Sequence, residues 1–276
     1  MSPEGQDFCI LCPRLTRITT KCSYHDTMIE IPYLASARFS GDDAGRFLQS
    51  QLSADIEALR PGTATFACYC TPKGKVLGLM KVLRAGDDFH LIANAELLPG
   101  MLKRLQMYVF RSRVTFGLEN DLQVYGDGDA YRVEEPGNGQ KGDIQAWKTA
   151  ELRRGICWLA AGSSEKFIPQ MLGFDQIGAV SFSKGCYPGQ EIVARAKYLG
   201  KVKRKPLLVT AENVPEPAAG DRVRVLREGQ WSDAALVDSA GEGRGPRWLF
   251  LVAAAEPASD VEAVEIGGEN YRCATT

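Results

Sequence analysis

The residue types best suited to chemistry lie together in one stretch, KGCYPGQEIVAR at positions 184–195. It offers a thiol at Cys186, a phenol at Tyr187 and a carboxylate at Glu191. A neighbouring lysine, Lys184, and a helix N-terminus both promote the thiolate form of a cysteine, which is the nucleophilic form. Cys186 is therefore the candidate catalytic residue of the chain.

The same stretch carries the signals of a tight loop that leads into a helix. Gly185 and Gly189 permit backbone turns that a side chain would forbid. Pro188 fixes φ and suits the first turn of a helix, which residues 190–196 can continue. A carboxylate near such an N-terminus is favoured by the helix dipole. The alternative left open is an ordinary loop-to-helix junction with a buried cysteine.

The run KGCYPGQE, followed by VARAKYLGKVKR, resembles the motif of the YgfZ family of folate-binding proteins. That family is related to the aminomethyltransferase, or T-protein, of the glycine cleavage system. The resemblance covers roughly residues 29–276 and is strongest at 41–56 and 167–204. It implies an α+β fold with antiparallel sheets and helices arranged as a ring, tetrahydrofolate in or near the central opening, and a small C-terminal β-barrel.

The resemblance also implies roles for individual residues of the motif. A pterin edge alternates donors and acceptors, so a carboxylate and an amide can pair with it. Glu191 is the best candidate, with Gln190 in support, and Tyr187 could stack or hydrogen-bond. Arg195 or Arg113 could bind a glutamyl carboxylate, although a solvated salt bridge is an equal alternative for Arg113. The candidate cofactor-binding residues are Lys184, Gly185, Tyr187, Gly189, Gln190, Glu191, Arg195 and Arg113.

The sequence departs from the T-protein at an acidic pair that the enzyme uses. The corresponding positions here are Gly78 and Leu79. Aminomethyl transfer needs a carboxylate near the folate nitrogen to manage protons, and neither residue supplies one. We therefore do not expect a classical enzyme of this type.

The function that the resemblance implies is that of a folate-dependent accessory protein for assembly or repair of iron–sulfur enzymes. Its partners would be iron–sulfur client enzymes or assembly factors, and tRNA thiolation would depend on it indirectly. Two alternatives stay open: a folate-dependent C1 transferase, and a folate-binding module without chemistry. Cys186 would be reactive under the first hypothesis, or merely packed under the ligand. One thiol cannot hold a cluster alone, so we predict no metal site.

A basic run follows the motif and is not interrupted by any acid. One interpretation is a solvated face with a strand start. Another is attraction of an anion, either the polyglutamate tail of folate or RNA phosphate. Because no aromatic-rich stacking platform accompanies the run, we expect no direct nucleic-acid binding. Its members are Arg195, Lys197, Lys201, Lys203, Arg204 and Lys205.

Composition is that of an ordinary globular protein. The 276 residues are 45% hydrophobic and carry a formal net charge of −1, which gives no global field for polyanions. No apolar run has the length of a membrane span and no secretory signal opens the sequence, so we expect a cytoplasmic protein. The eight cysteines are then predicted to be reduced, and the single CxxC of Cys9 and Cys12 is weak evidence for a metal.

The elements that must position the motif fall into four predicted segments. Residues 1–27 are expected to form a disordered extension, 28–116 a first α+β folate-binding region, 117–204 a second one that carries the motif, and 205–276 a C-terminal barrel. Apolar spacing predicts a helix near residues 42–52, capped by Ser40 or Asp42, and another over 96–111. An antiparallel meander is predicted over 63–93, and residues 147–156 are ambiguous.

Overall fold

The computed structural model describes residues 28–128, 130–137, 139, 141–200, 202–241, 245–254 and 260–274. The predicted extension 1–27, the Cys9–Cys12 pair and Lys201 lie outside these ranges. The helices are α1 Ala44–Gln51, α2 Leu98–Gln106, α3 Ile144–Arg153 and α4 Gln190–Tyr198. The strands are β1 Ile29–Glu30, β2 Leu34–Ser40, β3 Ala64–Cys70, β4 Val76–Ala85, β5 Asp88–Asn94, β6 Thr115–Leu118, β7 Gln123–Asp127, β8 Ala130–Glu134, β9 Arg204–Ala211, β10 Arg222–Arg227, β11 Gln230–Ala240, β12 Arg247–Ala254, β13 Ala263–Ile266 and β14 Glu269–Ala274.

The first sheet has five strands in the order β3-β4-β5-β2-β6, and all neighbours are antiparallel. The predicted meander is confirmed as β3, β4 and β5. Helices α1 and α2 supply apolar side chains to the core of this sheet. In α1, Ala44, Phe47 and Leu48 are buried at the helical spacing that the sequence indicated.

The predicted cap of α1 was wrong. The N-cap residue is Asp43, and no side chain caps the helix. The carboxylate of Asp43 instead accepts a hydrogen bond from the backbone N–H of Arg113, at 2.8 Å. A distant backbone donor thus competes successfully for the oxygen that would otherwise satisfy the first turn.

Helix α2 is shorter than the predicted 96–111 because it begins at Leu98 and ends at Gln106. The apolar pattern continues after the last helical turn, and this led the prediction too far. Phe110, which lies within the predicted helix, is 86% exposed and has a φ of +42°.

A second sheet pairs its strands in the order β1-β7-β8. The ambiguous residues 147–156 begin within α3, whose N-cap Asp143 accepts a hydrogen bond from the N–H of Ala146 at 2.8 Å. Trp147 of α3 packs against β7 so closely that a Cβ on Gly126 would lie 2.9 Å from its Nε1. Helix α3 therefore belongs to the core of the second sheet.

The C-terminal part is a closed barrel with the strand order β10-β11-β12-β9-β14-β13. This confirms the predicted α+β fold with a small C-terminal β-barrel. Helix α3 also contacts the barrel, because Lys148 Nζ lies 2.6 Å from Asp238 Oδ1 of β11. In the described ranges, no helix is long and apolar enough to cross a membrane.

Candidate functional site

The predicted motif forms a loop over residues 184–189 and the first turns of α4. Gly189 is the N-cap of α4, with a φ of +83°, so the helix begins only at Gln190. Pro188 therefore precedes the helix, whereas we had predicted that it lies in the first turn. Gly185 is not among the glycines with a positive φ, so only Gly189 uses the conformational freedom of glycine.

The loop packs against the turn between β3 and β4. A Cβ on Gly189 would lie 2.4 Å from the carbonyl oxygen of Thr71 and 2.6 Å from the Cα of Gly74. A Cβ on Gly74 would in turn lie 2.9 Å from the Cβ of Ile192 in α4. The first sheet therefore fixes the position at which α4 begins, through backbone contacts that only glycine permits.

Lys184, one of the predicted cofactor-binding residues, has a structural role. Its buried ammonium donates hydrogen bonds to the carbonyl oxygens of Gln49, Leu52 at 2.6 Å and Ala54 at 2.9 Å. These oxygens lie at the end of α1 and just beyond it, where a helix leaves carbonyls without internal partners. Because three carbonyls use its three donors, Lys184 ties the motif to α1.

Tyr187 is buried, at 6% exposure, and points away from solvent. Its hydroxyl has no hydrogen-bond partner among the residues that the structure describes. Burial raises its pKa, and the nearby Cys70 and Cys68 add to the shift. Lys184 Nζ lies 5.4 Å from the ring centroid. Tyr187 therefore forms part of the wall beneath the loop, and its ring is not open to stacking by a ligand here.

Cys186 is exposed, as is Gly185 beside it. The alternative of a junction with a buried cysteine is therefore wrong. By contrast, Cys68, Cys70 and Cys157 are buried. The motif thus presents one accessible thiol on a loop whose two ends are fixed by Lys184 and Gly189.

The first turn of α4 places the predicted pterin-binding pair on different sides of the helix. The Nε2 of Gln190 lies 3.4 Å from the carbonyl oxygen of Lys184, which it faces as a donor. Val193 is buried, and its carbonyl oxygen accepts a hydrogen bond from Gln170 at 2.6 Å. Glu191 and Arg195 are exposed. Each is two residues from Val193, or about 200° around the helix, so both lie on the side of α4 opposite to that buried residue. A ligand bound by both would lie on the outer face of α4.

Arg113 is the one candidate that the structure places apart from the motif. Its guanidinium pairs with Asp42 at 2.9 Å and lies 3.6 Å from Asp43, at the beginning of α1. The backbone N–H of Arg113, and secondarily its charge, lower the pKa of Asp43. Lys184 reaches the other end of α1, about 12 Å away along the axis. The salt-bridge alternative for Arg113 thus agrees with the geometry.

The two positions that correspond to the T-protein acids lie in the interior of β4. A Cβ on Gly78 would be 2.8 Å from the Sδ of Met101, so a larger residue has no room there without rearrangement. Leu79 is 1% exposed and belongs to the hydrophobic core. Neither position can present a carboxylate to a bound folate.

One buried acid was missed by the sequence reasoning. Glu151 of α3 accepts hydrogen bonds on Oε2 from Tyr131 and from Trp158 at 3.2 Å, and its Oε1 lies 3.3 Å from Arg154. Burial raises its pKa, against the opposing hydrogen bond from Tyr131 and the charge of Arg154. The spacing of Trp147 and Glu151, one turn apart, could have indicated that this acid faces an aromatic core.

The chain has relatives among known proteins. No protein-family model matches the chain. An uncharacterized protein of Haemophilus influenzae is 32% identical over 235 residues, which span 77% of this chain and 83% of that protein. The "tRNA-modifying protein YgfZ" of Klebsiella pneumoniae is 28% identical, over 78% of this chain and 80% of the relative. That of an Enterobacter strain is 27% identical, over 78% and 81%.

The fold has a counterpart among solved structures. The glycine cleavage system aminomethyltransferase T from Bartonella henselae superposes with a TM-score of 0.67 and covers 90% of this chain and 85% of its own. The two sequences are 14% identical, so the likeness concerns the fold alone. It confirms the predicted aminomethyltransferase-like architecture.

Proposed function

The chain belongs to the YgfZ family, and from this premise we propose that it is a tetrahydrofolate-binding accessory protein for the assembly, maintenance or repair of iron–sulfur enzymes. In this role it acts in the cytoplasm and supports tRNA thiolation indirectly, through client enzymes. The name of its relatives, tRNA-modifying protein, agrees with a function connected to tRNA modification.

The observation that carries the proposal is the exposed thiol of Cys186 on a fixed loop. An exposed thiol is accessible to a partner protein. One thiolate can act as a nucleophile or as a single ligand, and the remaining ligands of a cluster must come from the partner. Client enzymes or assembly factors are therefore the partners of this surface.

Folate binding is assigned to the same region of the motif. Glu191 offers the carboxylate that a pterin edge requires, and Arg195 lies one turn after it for a glutamyl carboxylate, whereas the Gln190 amide faces the Lys184 carbonyl. The resident cofactor would be tetrahydrofolate or another reduced folate. Its binding beside Cys186 would couple the ligand to the accessibility of the thiol.

A C1 transferase of the T-protein type is the second candidate, because the fold is shared. The residues in the interior of β4 argue against a transferase. Gly78 and Leu79 supply no acid, and Leu79 is buried in the hydrophobic core. Proton management at the folate nitrogen would need a different group.

Three measurements test the proposal. Anaerobic titration with tetrahydrofolate should show binding, and the same protein should form no methylene-tetrahydrofolate from an aminomethyl donor. In cells that lack the gene, wild-type protein should restore iron–sulfur enzyme activity and thiolated tRNA, whereas Cys186→Ala should not. Cys273→Ala is the matched control, because Cys273 lies in the barrel at intermediate exposure.

Each contrary result has a definite meaning. Absence of folate binding would overturn the cofactor assignment. Full rescue by Cys186→Ala would reduce the protein to a folate-binding module without thiol chemistry. Turnover of an aminomethyl donor would favour the transferase.

A further inference from the structure

A cleft of about 490 Å³ lies between the last turn of α4, the 3₁₀ turn Pro169–Met171 and the start of β9. Ala196, Lys197 and Gly200 line it from α4 and the residues just after, and they share the helix face of buried Val193. Cavities of this size accommodate small ligands. The cleft is separate from Cys186, which lies before the other end of α4.

The cleft carries an excess of positive charge. Lys197, Lys203 and Lys205 line it together with one acid, Asp175, which leaves a net charge of +2 (three cations less one anion). Lys203 and Lys205 face the cleft because alternate residues of an extended segment point the same way, whereas Arg204 does not line it. Lys203 and Lys205 therefore both face the cleft.

Structural needs account for only part of this charge. Lys197 lies in the last turn of α4, where a cation favours the helix C-terminus, and its Nζ is 3.7 Å from Asp175. Lys203 and Lys205 are exposed, and no carboxylate pairs with them among the described residues. Their charges are therefore available for an anion.

The polar wall of the cleft distinguishes between classes of anion. Gln170 is 7% exposed, and its Oε1 accepts no hydrogen bond from any residue that the structure describes, while its Nε2 is used by Val193. That oxygen is itself buried, so the charge of the cleft comes from its lysines and not from Gln170. No aromatic side chain is among the lining residues, so a nucleic-acid base or a pterin would find nothing to stack on.

We propose that this cleft binds the γ-linked glutamate tail of the folate. Such a tail carries several carboxylates, which match the lysines that line the cleft. Lys197 lies about 9 Å along α4 from Glu191, the residue assigned to the pterin, and about 120° around the helix from it, so a tail of several glutamates is needed to connect the two positions. The inference rests on the proposed folate binding and adds the site that selects polyglutamylated forms.

The test compares tetrahydrofolate with one and with five glutamates at low ionic strength. Wild-type protein should bind the pentaglutamate about tenfold more tightly, because two or three partly exposed ion pairs each add modestly. The difference should shrink as salt is added. The Lys203→Ala/Lys205→Ala double variant should lose the difference and keep its affinity for the monoglutamate.

Lys103→Ala/Lys141→Ala is the control with the same change of net charge, because both lysines are exposed outside the cleft. It should keep the tenfold difference. A free oligo-γ-glutamate peptide provides a probe that needs no pterin site, and it should bind wild-type protein but not the Lys203/Lys205 variant.

The outcomes separate the two proposals. If the monoglutamate binds but chain length has no effect, the cleft assignment is overturned and the proposed function stands. If no folate binds but the peptide does, the cofactor assignment fails and the cleft remains an oligocarboxylate site. Equal loss of the chain-length effect in the control variant would assign the effect to general charge and overturn the cleft assignment. If chain length has no effect and the Lys203/Lys205 variant instead loses binding to tRNA, the cleft assignment is overturned in favour of RNA.

Discussion

Gly189 and Gly74 approach each other so closely that a Cβ on Gly189 would lie 2.6 Å from the Cα of Gly74. The contact joins the N-cap of α4 to the turn between the first two strands of the meander. It places a loop with an accessible thiol on a rigid sheet. The position of Cys186 is therefore determined by residues more than a hundred positions earlier in the chain.

Gly189→Ala should destabilise the protein by about 3 kcal/mol. The substitution places a side chain at a φ of +83° and drives its Cβ to 2.4 Å from the oxygen of Thr71. Urea-induced unfolding measures the loss. Gly185→Ala is the matched control in the same loop, because its Cβ would meet nothing within 4 Å. Equal stability of the two variants would contradict the proposed role of the glycine contact.

This contact also shows what the sequence alone could indicate. The glycines and the motif were sufficient to predict a tight loop before a helix, apolar spacing was sufficient for α1, strand-like alternation for the meander, and the family resemblance implied the barrel. Which glycine needs a positive φ depends on the partner across the contact, and nothing local identifies Gly74 as that partner. The end of α2 was missed for a related reason, because the apolar pattern runs on to Phe110 although the backbone after Gln106 forms only i→i+3 turns.

The roles of charged residues were harder to predict than the elements. Lys184 belongs to the motif, yet its ammonium is used by three carbonyls of a segment 130 or more positions away. Arg113 was a candidate through the family resemblance and lies at the opposite end of α1. Tertiary contacts between distant segments decide such roles, and no single-sequence pattern encodes them.

Lys184→Met should destabilise the protein by about 2–4 kcal/mol at pH 7. The change leaves the carbonyl oxygens of Gln49, Leu52 and Ala54 without their charged donor. Lys73→Met, in the exposed turn before β4, is the control and should change stability little. Urea unfolding of both variants gives the comparison, and an undiminished stability of Lys184→Met would show that water replaces the lysine.

The same residue gives the protein a pH dependence of definite sign. Burial lowers the pKa of Lys184 from 10.5 to about 8, although Asp55 and Glu57 oppose the shift. Above about pH 8 the folded chain loses this proton while the unfolded chain still holds it, so folding gains stability as the pH rises toward 10.5. The stability difference between wild-type and Lys184→Met should therefore widen between pH 8 and 10. A constant difference would argue that the ammonium stays charged in that range.

Cys186 should be the first of the described cysteines to react with iodoacetamide at pH 7.5. It is exposed, whereas burial raises the pKa of Cys70 to about 12 and that of Cys273 to about 11. Peptide mass spectrometry after short exposure identifies the modified site. Cys68 and Cys157 are buried and should react only after denaturation. Labelling of Cys68 at the rate of Cys186 would mean that the core opens readily.

Tyr131→Phe should destabilise the protein by about 1–3 kcal/mol at pH 7 and by less at pH 5. The Tyr131 hydroxyl donates to Glu151, whose pKa is raised by burial and held down in part by this hydrogen bond. Because the folded-state pKa lies above the unfolded value, stability from Glu151 is lost as the pH rises through the raised pKa, and removing the hydroxyl increases that loss. Unfolding at the two pH values measures the effect. In a Glu151→Gln background the carboxylate is gone, so the effect of Tyr131→Phe should no longer depend on pH, and persistence of the pH dependence there would assign it to another group.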